Sequence, residues 1–273
     1  MSWRHRKPDH DISFDGRAER FVERIYGSAK GELRLALLWE DMLAAIPPLV
    51  EPGRLRIWDA GGGAGQMAFK LAAAGHDVLL SDISAEMLAL ADAQRAACPG
   101  GDRVEIRCAP IQELAPTLAG RFDLIVCHAV LEWLAQPQLV LAQLAQRLAP
   151  GGHLSLMFYN RHSLLLTHAV RGSVDKLLGG ETAGHPGSLT PPNALDPAEV
   201  EPWLQELGLA AVSRCGIRTV TEYLPRSQRA TLSLETLLRL EQRYCREEPF
   251  RDLGRYLHWV CRFDADGAPH DGR

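Results

Sequence analysis

A run of alternating glycines directly behind a short apolar segment constrains the fold of this chain more than any other feature. Residues 54–66 have the sequence Arg-Leu-Arg-Ile-Trp-Asp-Ala-Gly-Gly-Gly-Ala-Gly-Gln, and residues 67–74 continue with a helical pattern. This order predicts a buried strand, a tight turn and a helix N-terminus. Glycine accepts positive φ and lets a ligand approach the backbone, and the helix end offers unpaired N–H donors. The stretch therefore predicts a site for a nucleotide-like ligand.

The spacing of the glycines narrows the choice of ligand. Gly61, Gly63 and Gly65 form Gly-x-Gly-x-Gly behind Asp59, whereas the dinucleotide fingerprint needs a small residue where Gln66 stands. In this form the turn resembles motif I of the class I S-adenosylmethionine-dependent methyltransferases, in which it wraps the methionine part and the ribose of the cofactor. A nicotinamide oxidoreductase, or a cofactor-binding protein without turnover, stays open as an alternative.

Composition limits the class of protein. With 273 residues, 46% of them hydrophobic and 23% charged, the chain can bury a full core. No apolar run approaches the roughly 18 residues of a membrane helix, and no apolar segment follows the basic N-terminus, which predicts a cytoplasmic protein without a membrane partner. The six cysteines are single, so we expect reduced thiols and no metal site.

Strand and helix patterns alternate from residue 57 onward, which predicts an α/β fold with a doubly wound, mostly parallel seven-stranded sheet. We expect an unstructured lead-in over residues 1–11 and two helices joined by a glycine turn before the first strand. The last strands are predicted at 211–223 and 255–263, with one long helix over 228–244 between them. The predicted organisation is a helical extension (1–48) that completes the cofactor site, a main domain (49–263) with a helical insertion (160–196), and a flexible tail (264–273).

Residues that follow the strands are candidates for the site, because ligands of doubly wound sheets bind beyond the carboxyl ends of the strands. Asp82 follows the second strand, where an acid accepts hydrogen bonds from ribose hydroxyls; capping of the next helix is its alternative role. Gln112 follows the third strand and could contact the edge of an adenine. His128 ends the fourth strand, at the mouth of the predicted site.

Five segments, one of which is the glycine turn, narrow the resemblance to one family: residues 25–34, 59–66, 128–133, 154–160 and 244–249. They resemble a family of bacterial tRNA methyltransferases that esterify 5-carboxymethoxyuridine at the wobble position, and the likeness runs from about residue 14 to 263. It implies S-adenosyl-L-methionine as the cofactor and the tRNA anticodon stem-loop as the partner. The residues expected to contact the cofactor are Arg34, Asp59, Gly61, Gly62, Gly63, Asp82, Ile111, Gln112 and His128.

The acceptor side is predicted from chemistry. A carboxylate with an ordinary pKa near 4 is already ionised at neutral pH, so methyl transfer to it needs positioning and desolvation rather than a general base. Tyr159, Asn160 and Arg218 could line this side, with Arg218 orienting the carboxylate. Residues 214–262 carry 10 arginines against 6 acids, and tRNA phosphates are expected at Arg229, Arg239, Arg243, Arg246 and Arg251. An O-methyltransferase for a small carboxylic acid is the alternative.

Overall fold

A seven-stranded sheet forms the centre of the protein in a computed structural model that describes residues 8–25, 27–179 and 190–264. Its strands are β1 (Arg56–Ala60), β2 (Asp77–Asp82), β3 (Val104–Cys108), β4 (Phe122–His128), β5 (Leu148–Tyr159), β6 (Leu209–Ile217) and β7 (Tyr256–Phe263). Their order in the sheet is β3-β2-β1-β4-β5-β7-β6. Strands β1 to β5 run parallel, and β7 is antiparallel to both of its neighbours. The predicted doubly wound, mostly parallel seven-stranded sheet is confirmed.

Helices cover both faces of this sheet. They are α1 (Ala18–Ile25), α2 (Ala29–Ala45), α3 (Gln66–Ala73), α4 (Ala85–Arg95), α5 (Ile111–Leu114), α6 (Pro137–Ala145), α7 (Arg161–Val170), α8 (Val174–Gly179), α9 (Pro197–Glu206), α10 (Arg226–Thr231) and α11 (Leu234–Tyr244). Successive strand residues point to opposite faces. Trp58 lies in the core with α5, α6 and α9, and Ile57 in the core with α2, α3, α4 and α11.

The sixth strand ends earlier than predicted. It stops at Ile217 because Arg218 has a φ of 60°, and the chain then turns instead of continuing to residue 223. The buried carboxylate of Glu241 holds this turn by accepting hydrogen bonds from the backbone N–H groups of residues 219–221 at 2.6–3.1 Å. A side chain some twenty positions along the chain thus takes the donors that a longer strand would pair.

The predicted long helix over 228–244 is two helices, α10 and α11. Ser233 separates them, because its hydroxyl accepts a hydrogen bond from the backbone N–H of Thr236 at 3.1 Å and caps α11. An N-cap residue has non-helical backbone angles, so a helix cannot run through it. The break gives the connection between β6 and β7 a bend beside the end of β6.

Part of the predicted lead-in is an ordered segment of the fold. Asp11 accepts hydrogen bonds from the backbone N–H of Ala135 at 2.8 Å and from the amide of Gln112 at 2.6 Å, and Ile12 donates to the carbonyl of Trp133 at 3.0 Å. The expectation of an unstructured lead-in is therefore wrong for Asp11. Residues 1–7 lie outside the described part of the chain.

The predicted insertion begins and ends at the carboxyl end of β5. Asn160 and Leu195 form an isolated parallel bridge there, and α7 and α8 follow the first of them. Residues 180–189 and nearly all of the predicted tail (265–273) lie outside the described residues. Within the described ranges, no helix is long and apolar enough to cross a membrane, and no cluster of His, Cys, Asp or Glu could hold a metal ion.

Candidate active site

The glycine turn behind β1 has a shape that side chains would disrupt. Gly61 has a φ of 74° and Gly63 a φ of 56°, a region that other residues rarely adopt. A Cβ atom on Gly62 would lie 2.5 Å from the carboxyl carbon of Asp59 and from a methyl group of Leu80. The turn therefore needs glycine for its backbone angles and for its close packing against the sheet.

The backbone N–H groups of this turn are used within the protein. Those of Gly61 and Gly62 donate to the carbonyl of Ser81 at 2.8 and 3.1 Å, and that of Gly63 donates to the carboxylate of Asp82 at 2.9 Å. They bind the turn to the end of β2 rather than offering themselves to a ligand, contrary to the expectation from the sequence. Within the turn, the N–H of Gly63 holds the carboxylate of Asp82 in place.

A cleft lies over this turn, and we call it the central cleft. Its lining residues come from α1, α2, the glycine turn and the ends of β2 and β4, among other elements. Seven of the nine predicted cofactor residues line it: Arg34, Asp59, Gly61, Gly62, Gly63, Asp82 and His128. The two others, Ile111 and Gln112, line an adjoining side pocket, which shares Gly61 and Asp82 with the cleft. The residues predicted from separate strand ends therefore come together around one connected site.

Two buried carboxyl groups face the central cleft without a full set of partners. Oδ2 of Asp59 and both carboxylate oxygens of Glu132 make no hydrogen bond. Burial raises the pKa of Asp59 to about 7 and that of Glu132 to about 8; nearby backbone N–H groups offset part of this. Buried carboxyl groups without partners are uncommon, and a cationic group in the cleft would satisfy them. The sequence did not point to Glu132, although it belongs to the His128–Trp133 segment.

The side pocket is mostly apolar. Ile83, Pro110, Ile111 and Val130 are among its lining residues, which suits a flat aromatic ring. The side-chain amide of Gln112 donates to Asp11, so its N–H is already used by the N-terminal segment. Asp11 and Phe14 also line this pocket, and neither was predicted to do so.

His128 is partly buried at the end of β4 and belongs to a chain of hydrogen bonds. Its Nε2 lies 2.8 Å from the hydroxyl of Ser155, which lies 2.8 Å from Nε2 of His258. Nδ1 of His258 in turn lies 2.7 Å from the carboxylate of Asp41. Burial lowers the pKa of His128 well below its ordinary value, so the ring is neutral. The three other members of this chain, Ser155, His258 and Asp41, were not predicted from the sequence.

A second cavity, the basic chamber, adjoins the central cleft and shares Arg34 and Tyr256 with it. Its described lining includes a single acid, Glu222, and seven cationic side chains: Arg20, Arg24, Lys30, Arg34, Arg171, Arg218 and Arg255. Glu222 forms an ion pair with Arg218 and lies 3.6 Å from Nη1 of Arg255. Partial desolvation and the charge of Arg218 lower the pKa of Lys30 to about 8. The chamber keeps an excess of positive charge.

The residues predicted to position the acceptor carboxylate lie in two different surroundings. Arg218 and Tyr159 line the basic chamber, where the guanidinium of Arg255 lies 4.7 Å from the ring centre of Tyr159. The hydroxyl of Tyr159 is buried without a hydrogen-bond partner. Asn160 has a structural role instead: its amide donates to the carbonyls of Asp252 and Gly254 at 2.8 and 2.9 Å, and its oxygen caps α7. Both donors of Asn160 are used, which corrects the expectation that it positions an acceptor.

The arginines predicted to contact phosphate also differ in their surroundings. Arg229 lines an outer groove that continues from the basic chamber and shares Lys30, Arg171 and Arg218 with it. By contrast, Arg243, Arg246 and Arg251 each form an ion pair, with Glu247, Asp41 and Glu248 respectively. The groove therefore gathers positive charge that was not predicted, from α7 and the start of α10.

Comparison with known proteins agrees with this geometry. The model of a methyltransferase domain family matches residues 58–154. The tRNA 5-carboxymethoxyuridine methyltransferase of Escherichia coli strain K12 is 44% identical over 253 residues, which cover 92% of this chain and 96% of that protein. A ubiquinone biosynthesis O-methyltransferase of Xanthomonas axonopodis pv. citri is 30% identical over 68% of this chain and 74% of that protein.

Solved structures show the same fold. Magnesium protoporphyrin IX methyltransferase from Synechocystis PCC 6803 with bound SAH superposes with a TM-score of 0.60 at 19% identity, covering 92% of this chain and 96% of that one. The sheet order, the glycine turn and the acids at the strand ends define a class I methyltransferase, whose cofactor is S-adenosylmethionine, as the sequence predicted. Within that class, the chain belongs to the family of the tRNA 5-carboxymethoxyuridine methyltransferases.

Proposed function

We propose that this protein transfers the methyl group of S-adenosylmethionine to the carboxylate of 5-carboxymethoxyuridine at the wobble position of tRNA, which gives 5-methoxycarbonylmethoxyuridine. The observation that carries the proposal is the basic chamber next to the central cleft, where seven cationic side chains meet one acid. An anionic acceptor suits such a chamber, and a neutral or cationic acceptor does not. The name of the E. coli relative supports the same acceptor.

The residues of the central cleft fit the cofactor group by group. Arg34 can hold the carboxylate of the methionine end through two parallel hydrogen bonds. Glu132 and Asp59 offer buried carboxyl oxygens to the ammonium group, and Asp82, fixed by Gly63 and Ser84, can accept from the ribose hydroxyls. The apolar side pocket suits the adenine ring. A cofactor held in this way would present its sulfonium to the border shared with the basic chamber.

The reaction needs positioning rather than proton transfer. The bond between sulfur and the methyl carbon breaks as a carboxylate oxygen forms a bond to that carbon, leaving the thioether and the methyl ester. The acceptor carboxylate is ionised at neutral pH, so it carries no proton that neutral His128 would have to remove. The protein must bring oxygen and methyl into line and exclude water. Arg218 and Arg255 would hold one carboxylate oxygen beside Glu222, leaving the other free to attack.

The outer groove is the proposed path of the tRNA strand. It connects the surface with the basic chamber through residues that both cavities share, among them Ser28 and Lys30. Arginines in such a groove contact phosphates and fix the position of the strand, while the wobble base is turned out of the stack. Arg171, Arg226 and Arg229 are the candidates for these contacts, in place of the ion-paired arginines of α11 and the segment that follows it.

Nucleoside mass spectrometry tests this function directly. Bulk tRNA from a strain that lacks the ester is incubated with the protein and S-adenosylmethionine, then digested to nucleosides. We expect 5-carboxymethoxyuridine to decrease as its methyl ester appears in equal amount. Unchanged nucleosides, together with methyl transfer to a panel of small carboxylic acids, would instead support the small-molecule alternative.

A further inference from the structure

A line of four polar residues, three of them fully buried, runs from the central cleft through the sheet to α2. It consists of His128 on β4, Ser155 on β5, His258 on β7 and Asp41 on α2. In the sheet register Met157 pairs with both histidines, which places them on two strands separated by β5. The Ser155 hydroxyl bridges them with two contacts of 2.8 Å, and Asp41 closes the line at 2.7 Å.

The ionised carboxylate of Asp41 determines the direction of its hydrogen bond with His258. Burial acts to raise the pKa of Asp41, but the hydrogen bonds from His258 and Ser213 and the charge of Arg246 outweigh it and lower the pKa. The ionised carboxylate only accepts, so Nδ1 of His258 must carry a proton and donate it. The other oxygen, Oδ1, accepts from Ser213 and pairs with Arg246.

Arg246 already balances the negative charge of Asp41. A doubly protonated His258 would then add a second cation in a fully buried place with one anion, which is unfavourable. With a single proton on His258, at Nδ1, its Nε2 accepts the hydrogen bond from the hydroxyl of Ser155. That hydroxyl has one proton, so its oxygen accepts from Nε2–H of His128.

We infer that Asp41, His258 and Ser155 are positioning residues that hold His128 as the Nε2–H tautomer, so that its Nδ1 is left as a hydrogen-bond acceptor for the central cleft. The group it would accept from is an N–H or O–H donor of the bound cofactor. The inference rests on the cofactor being bound in the central cleft, and it does not depend on which acceptor is methylated. None of the three positioning residues lines the cleft.

Substitution of Asp41 by asparagine tests the direction of the hydrogen bonds along this line. In Asp41→Asn the amide oxygen can keep Ser213 and Arg246, while the amide N–H₂ would face Nδ1 of His258 and donate to it. Every proton along the line would then reverse: His258 donates to Ser155, Ser155 donates to Nε2 of His128, and His128 becomes the Nδ1–H tautomer. The matched control is Ser213→Ala, which removes a donor to Asp41 and keeps the carboxylate.

Long-range nitrogen–proton correlation spectra of ¹⁵N-histidine-labelled protein read the tautomers, and His128→Gln identifies the signals of His128. We expect Nε2–H for His128 in the wild type and in Ser213→Ala, and Nδ1–H in Asp41→Asn. Calorimetry should show S-adenosylhomocysteine binding weakened roughly tenfold by Asp41→Asn and less than twofold by Ser213→Ala. A wild-type His128 that is Nδ1–H or doubly protonated at neutral pH would overturn the inference without any variant. So would an Asp41→Asn protein that folds and keeps the wild-type tautomer; neither result bears on the tRNA acceptor.

Discussion

The central cleft and the basic chamber share a border but differ in the ionisable groups that line them. Three acids, Asp59, Asp82 and Glu132, are among the residues that line the cleft, whereas the described lining of the chamber has seven cations and one acid. The cofactor carries a sulfonium and an ammonium group, and the proposed acceptor carries a carboxylate and phosphates. In the proposed function, each reactant would bind on its own side of this border, and the methyl group would be transferred across it.

The two cavities also differ in how the sequence builds them. The predicted cofactor residues of the cleft lie mostly at or directly after the ends of β1, β2 and β4, so local sequence positions them. The chamber collects Lys30, Arg171, Arg218 and Arg255 from four elements far apart in the chain. Substitutions should therefore separate cofactor binding from acceptor turnover, except at residues of the shared border.

Arg34 lines both cavities, so its replacement should have the largest effect. Arg34→Ala removes the proposed partner of the cofactor carboxylate, and we expect S-adenosylhomocysteine affinity to fall about 100-fold, with a parallel loss of tRNA methylation. Isothermal titration calorimetry measures the affinity. Arg54→Ala, an exposed arginine far from the cleft, is the control and should change neither quantity. Intact cofactor binding in Arg34→Ala would remove this residue from the site.

Replacement of Arg218 should lower turnover of the tRNA and leave cofactor affinity unchanged. Because Arg218 pairs with buried Glu222, the double variant Arg218→Ala/Glu222→Gln avoids an uncompensated charge. We expect kcat/KM for tRNA to fall roughly 30-fold, since a charged hydrogen bond to the acceptor carboxylate is lost. Affinity for S-adenosylhomocysteine should stay within about twofold of the single variant Glu222→Gln. Equal losses in both measurements would contradict the division into two cavities.

Glu132 provides a finer test within the cleft. Glu132→Gln keeps the shape of the side chain but cannot pair with an ammonium group, so S-adenosylhomocysteine should bind about tenfold more weakly. 5′-Methylthioadenosine, which lacks the amino-acid part, should bind with unchanged affinity. Glu113→Gln, at an exposed residue of α5, is the matched control. If both ligands lost affinity equally, Glu132 would have a structural role instead.

The raised pKa of Glu132 also predicts a pH dependence of stability. Its folded-state pKa of about 8 lies above the ordinary 4.5, so the folded protein holds a proton that the unfolded chain has released. Between pH 5.5 and 7.5 this group should lower the free energy of unfolding by up to about 1.4 kcal/mol per pH unit as pH rises. Urea unfolding of the ligand-free protein measures the slope. Glu132→Gln should be less steep by that amount, and equal slopes would show that Glu132 is ionised in the folded state.

The outer groove should give the smallest effect. Arg226→Ala removes one phosphate contact proposed in this groove, and KM for tRNA should rise about threefold with a weaker salt dependence. Arg243→Ala is the matched control, because Arg243 pairs with Glu247 outside the groove. Assays at several salt concentrations compare the two variants. A larger effect of Arg243→Ala would move the tRNA path to α11.

The sequence predicted those parts of the molecule that depend on neighbouring residues. The glycine turn follows β1 directly, and Asp82 and His128 are the last residues of β2 and β4. The spacing of apolar residues and the residue types of the turns were therefore sufficient to locate them. The end of β6 was missed because its N–H groups pair with Glu241, and the partners of His128 were missed because Asp41 and His258 lie over 200 residues apart. Such pairings depend on the folded topology, which no local pattern contains.

The position of the transferred methyl group is the most direct test of methyl transfer to a tRNA carboxylate. tRNA is labelled by the protein with S-adenosylmethionine that carries a tritiated methyl group, then treated with mild alkali, which hydrolyses esters but leaves methyl groups on ribose or base in place. We expect the label to be released as methanol, with a stoichiometry equal to that of the lost carboxymethoxyuridine. Label that remains on the nucleosides, or that never enters the tRNA, would contradict carboxylate methylation.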